Sequence, residues 1–301
     1  MQRPRGQNAE ISAVQQLGTA GAFGVALLLV LLGISVALHP VSAQGSGRGL
    51  AITDVACLMV YAGFSVWVRG HGQHERAIAI SFGARVGLMV GLVLVASHVF
   101  EFFTPFQSRT EQLVRGAGSV LLVLGLLGMA GSATWQRSRS WRYGLLAGLW
   151  CGLTGLVIFL GFALTANLLF GAHVLARLHD AFMASGMSDS GAFLVRNSLE
   201  ASSELLLQMP IASLLMSLAG SLFSAWIALH SRRLATLIAW AALAVFVSGA
   251  VTLWYADSLP RDSRPPFVLT GAMAASLALC SLYPAWSRVL GRNAADQRAP
   301  S

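Results

Sequence analysis

The chain has 301 residues, 55% of them hydrophobic and only 11% charged, with 20 arginines, no lysine and 12 acids for a net charge of +8. A soluble domain carries about 25% charged residues, so this composition excludes a water-soluble globule, a disordered chain and a disulfide-stapled module. The arginines stand singly between apolar stretches without a recognition motif, which sets nucleic acid aside as a partner and leaves the lipid bilayer.

A helix crossing a hydrocarbon core of about 30 Å needs about 20 mostly apolar residues. On that measure the sequence predicts an all-α fold, a polytopic helical membrane bundle with eight transmembrane helices. A cytoplasmic segment, 1–20, leads into the first span, Gly21–Leu38. Arg3 and Arg5, this stretch and Val41-Ser42-Ala43 together resemble a cleavable signal. Its apolar run is longer than the usual 7–15 residues or so, which favours an uncleaved span; cleavage would leave seven.

The second span, Leu50–Val68, carries Asp54 one turn inside its end. The third, Ala77–Phe100, carries Arg85 about two turns inside the opposite end, more than ~10 Å from Asp54 along the membrane normal, so the two are not expected to pair. A frame of 86–106 for this span would put Arg85 at the surface and His98 and Glu101 in the membrane. His98 and Glu101 are three residues apart, share a helix face and suit a proton relay or a metal pair. A metal would need further ligands from other helices and is left open. The plainer reading makes all of these interfacial polar residues, which cost little near headgroups. Gly83, Gly87 and Gly91 recur every four residues on this span.

The fourth span is Gly116–Thr134. The fifth, Gly144–Phe170, repeats the pattern with Gly144, Gly148 and Gly152. A 34-residue connection, 171–204, follows. Within it Val174, Leu175, Leu178 and Phe182 have the spacing of a short amphipathic helix. Ser188-Asp189-Ser190 suits a helix cap. Arg196, Glu200, Glu204 and Gln208 then recur every four residues into the sixth span, Leu205–Leu229, where Pro210 predicts a kink or a restart. This stripe reads either as a path for a cation or proton or as the wet side of an interfacial helix. Ser213, Ser217 and Ser221 give the sixth span its own small-residue face. Such faces let membrane helices approach closely, where lipid supplies no hydrophobic drive. The seventh and eighth spans are Leu234–Tyr255 and Phe267–Trp286, followed by a tail over 288–301.

Placing both termini in the cytoplasm puts twelve arginines and three acids on the inner side and seven arginines on the outer side, in line with the positive-inside rule. The expected location is a bacterial cytoplasmic membrane, with 171–204 outside. Cys57, Cys151 and Cys280 fall within spans and outside any ligand spacing, so neither a disulfide nor a cofactor is expected. There is no P-loop, HExxH or GxSxG motif, which removes nucleotide-driven pumps, zinc proteases and serine hydrolases. No family motif is recognised. Three readings remain. The leading one is a small permease or membrane subunit of a transport system. The second is a non-catalytic scaffold, with membrane-protein partners or a second copy of itself. The third is an intramembrane enzyme or redox protein using His98 and Glu101.

Overall fold

A computed structural model describes residues 5–70, 74–103 and 109–229. Among them the chain is helical, with no strand: α1 (Arg5–Leu38), a 3-10 turn (Pro40–Ala43), α2 (Ser46–Gly70), α3 (His74–Phe103), α4 (Arg109–Ser138), α5 (Trp141–Arg177), α6 (His179–Ser185) and α7 (Ser190–Leu229). All but α6 contain a stretch long and apolar enough to cross a membrane, six in total. The protein is a helical membrane bundle. The seventh and eighth expected spans, Cys280 and the C-terminal tail lie outside the described residues.

Local chemistry sets the breaks. Gly45 adopts φ +57° immediately before α2, and Gly186 adopts φ +66° at the end of α6, a left-handed conformation that glycine takes at little cost. Arg139 takes φ 55° between α4 and α5. Asp189 caps α7: its Oδ1 accepts from the backbone N–H of Gly191 at 2.8 Å and of Ala192 at 3.0 Å. These two bonds satisfy donors that every helix start leaves unpaired. Because α7 starts there, residues 190–204 of the expected connection belong to the same continuous helix as the sixth span.

The chain divides into two compact units. One comprises residues up to Val95 together with Trp150–Ala212; the other comprises Ala96–Leu149 and residues from Ser213 onward. In the first unit, Gly18 of α1 lies against Ser65 and Arg69 of α2, Gly21 against Trp150 of α5, and Gly24 against Val157. Gly87 of α3 meets Cys151 and Thr154 of α5, Gly91 meets Ile158, and Gly191 of α7 meets His39 beyond α1. These pairs make α1, α3 and α5 parallel, with α2 and α7 running the opposite way.

In the second unit the serine face of α7 seats against glycines of α4 and α5. A methyl on Gly148 would overlap Ser217 Oγ, one on Gly144 would overlap Ser221 Oγ, and one on Gly131 would run into the Ser217 backbone. Ser217 Oγ lies 2.6 Å from Ser213 O and 3.2 Å from Leu127 O, and Ser132 and Ser224 share a 2.6 Å hydroxyl contact. Ser213, Ser217 and Ser221 are fully buried.

Gly148→Leu should therefore destabilise the protein by at least about 1–3 kcal/mol, the usual cost of overpacking. Gly33, with nothing within 4 Å of an added Cβ, should accept alanine with no loss, or a gain of up to about 1 kcal/mol. Thermal melting in mild detergent checks the contrast; equal melting of the two variants would contradict this packing.

Candidate functional site

The polar groups that matter most join α2 to α7 within the first unit. Asp54 is 1% exposed, and both its carboxylate oxygens are occupied. Ser202 Oγ donates to Oδ2, and Ser203 Oγ donates to Oδ1 at 2.5 Å. Each hydroxyl also has a backbone carbonyl in reach: Leu199 O at 3.2 Å from Ser202 Oγ and Leu50 O at 3.4 Å from Ser203 Oγ. An isolated buried carboxylate would be very costly, and these donors offset that cost.

One turn farther along α7, Leu206 O accepts the hydroxyl proton of Tyr61, about two turns beyond Asp54 on α2. Leu206 is four residues before Pro210, whose ring nitrogen carries no hydrogen, so its carbonyl lacks the usual helical donor. Tyr61 replaces that donor. α7 consequently runs through Pro210 as one helix, and the restart expected from the sequence does not occur.

The register of α7 also fixes the level of its acids. From Gly191, beside His39 at the end of α1, α7 descends antiparallel to α1 at about 1.5 Å per residue. Glu200 and Glu204 then stand about 14 and 20 Å below that end, opposite the middle of the Gly21–Leu38 apolar stretch. Asp54, bonded to Ser202 and Ser203, shares their level. At 3.6 residues per turn the two glutamates fall roughly 130° around α7 from the Asp54 contact, and both are exposed. The structure thus sets Asp54, Glu200 and Glu204, which the sequence had assigned to an interface and a connection, at one level of α7, Asp54 on its buried side and the glutamates on an exposed one.

The other expected residues stand apart from this group. Arg85 is exposed on α3 and makes no ion pair with Asp54. His98 is half-buried on α3 in the second unit. Glu101 is on the last turn of α3, and its side chain lies outside the described residues. Gly83 and Gly152 are buried.

A cavity of about 360 Å³ opens between the end of α1, the second half of α5 and the start of α7. Its polar lining comes from Ser35, His39, Asn167, Ser190 and Ser198, with Asn167 Nδ2 donating to Ser198 Oγ at 2.8 Å. Phe170 departs from helical geometry (φ −121°, ψ 25°) just before the lining residue Gly171. His39 Nδ1 is 3.9 Å from Asp189 Oδ1 at the same end. Ser202 follows Ser198 by one turn, about 6 Å along α7. Among the described residues, no three His, Cys, Asp or Glu side chains cluster as metal ligands. Compared with known proteins, the chain matches no protein family, no curated protein and no solved structure.

Sequence reasoning missed Tyr61, Asn167 and the two serines. For Tyr61 a signal existed: a proline inside a span always leaves the carbonyl four residues earlier in need of a donor. Tyr61→Phe should cost about 1–2 kcal/mol by orphaning that carbonyl. The same change should cost much less in a Pro210→Ala background, where the backbone supplies its own N–H. A double-mutant cycle on thermal stability reads the coupling, and simple additivity would show that the two residues do not compensate each other.

Proposed function

We propose that the protein is a small transport protein of the membrane, a permease in which the middle of α7 carries the pathway. The observation that supports this is the placing of three carboxylates, Asp54, Glu200 and Glu204, at one level of α7, on its buried and its exposed sides. Ionisable groups at such depth are expensive and ordinarily belong to ion pathways, proton relays or helix partners. The cavity beside α7 adds an approach of suitable size, since small-molecule sites typically measure about 300–1,000 Å³. With both termini in the cytoplasm, that cavity faces outward. The favoured cargo is a proton or a small cation.

The outward exposure of Glu200 and Glu204 also supports a second reading, a scaffold subunit whose partner helix covers these acids with basic or hydrogen-bonding groups. The two readings separate in one experiment. Purified protein in sealed vesicles is challenged with proton, Na+ and K+ gradients and read with pH- and potential-sensitive dyes. The wild type should dissipate at least one gradient faster than protein-free vesicles. Glu200→Gln with Glu204→Gln should slow it by about tenfold or more, the factor that accompanies about 1.4 kcal/mol at the limiting barrier. Wild-type flux no greater than that of empty vesicles would overturn the transport reading. A double variant that loses a co-purifying partner while keeping its flux would favour the scaffold.

A further inference from the structure

We infer that Asp54, together with Ser202 and Ser203, is a proton-binding site that holds α2 to α7 in both its charged and its neutral form. This deepens the transport reading, on which its role in flux rests; proton binding itself stands on the geometry alone.

The hydrogen inventory supports it. A serine hydroxyl has one hydrogen to give and two lone pairs to receive with, and a carboxylate only receives. In the charged form Ser202 and Ser203 both donate to Asp54, and every hydrogen has an acceptor. On proton uptake one O–H bond forms on Oδ1, a hydronium ion gives up its proton and becomes water, and the Ser203–Oδ1 hydrogen bond reverses direction. That new hydrogen points to Ser203 Oγ, and the Ser203 hydrogen turns to Leu50 O, already 3.4 Å away. Ser202 continues to donate to Oδ2. Three hydrogens then meet three acceptors, so neither form leaves a buried polar group unpaired. Leu199 O offers Ser202 the same alternative.

The donor count favours a proton over a metal ion. Among the described residues no group of three His, Cys, Asp or Glu side chains forms around Asp54, and one carboxylate with two hydroxyls falls short of the roughly six oxygens that Mg2+ or Ca2+ takes. The surroundings leave Asp54 as the group to titrate. Along α2 the neighbouring titratable or charged side chains are Arg48, Cys57 and Tyr61, the last bonded to Leu206 O. The apolar stretch of α1 contains none, His39 stands beyond its end, and α5 carries Cys151 and, toward its C-terminal end, His173 and Arg177. On α7, Arg196, Glu200 and Glu204 are exposed while Ser202 and Ser203 are buried.

Infrared difference spectroscopy of the full chain in lipid vesicles tests the assignment. Lowering the pH should raise the C=O stretch of a neutral carboxyl, sensitive to deuterium. Asp54→Asn should remove this band, because it has no carboxyl group, while its amide can still donate to Ser203 and accept from Ser202 and so keep the helices joined. Glu200→Gln with Glu204→Gln should retain it. Ser203→Ala should shift its frequency, and exchanging Na+ for choline should not alter it. Identical spectra for the wild type and Asp54→Asn from about pH 4 to 9, a range that spans ordinary and strongly raised carboxyl values, would overturn the proposal. Loss of the band on raising Na+ would overturn it equally, by giving the site to the metal. A normal band in a protein that dissipates no gradient would sink the transport reading and leave the proton site standing.

Discussion

Hydrocarbon offers no hydrogen bonds, so the buried polar groups of this bundle look for partners inside the protein; among the described side chains only the Ser65 hydroxyl and the Trp150 indole N–H are buried without one. α7 meets that constraint at its hardest points. Pro210 removes one backbone donor and Tyr61 restores it from the neighbouring helix. Ser202 and Ser203 supply the donors that a buried Asp54 requires. Thr134, Thr154 and Thr165 turn their hydroxyls back onto carbonyls of their own helices, at 2.7–2.8 Å. The α2–α7 seam is thus polar by necessity, and that necessity positions the carboxylate.

The second device is close approach. Glycines along α1, α3 and α5 bring backbone against side chain where a methyl would collide. Gly87 is close enough to α5 that an added Cβ would sit 2.6 Å from Cys151 O. Small residues lose little on packing and expose the backbone to dispersion contacts across the whole helix face. In the second unit, Ser217 combines both devices: it fills the groove at Gly148 and Gly131 and places its hydroxyl on Leu127 O.

The helices were legible in the sequence because length and hydropathy alone distinguish a spanning helix from a barrel strand. Four-residue spacing picked out Gly144, Gly148, Ser217 and Ser221 separately, yet a one-dimensional pattern cannot say that the first two face the last two. Depth was the harder quantity. Hydropathy begins the sixth span at Leu205, since the preceding turns hold Arg196, Glu200 and Glu204. The Asp189 cap and the contact of Gly191 with His39 instead begin the helix at Ser190. Moving that start by four turns lowers the glutamates from an apparent surface to the level of Asp54. Asp54 itself was visible, but its serine donors, nearly 150 residues away in sequence, were not.

At 40 residues, α7 measures about 60 Å, twice the thickness of the oily slab it enters. It cannot stand upright with both tips at the headgroups. Tilt, protrusion or local thickening of the leaflets must absorb the excess. Lipid chain length therefore acts as a mechanical load on this rod, and the immersion of Glu204 becomes a property of the membrane as much as of the polypeptide.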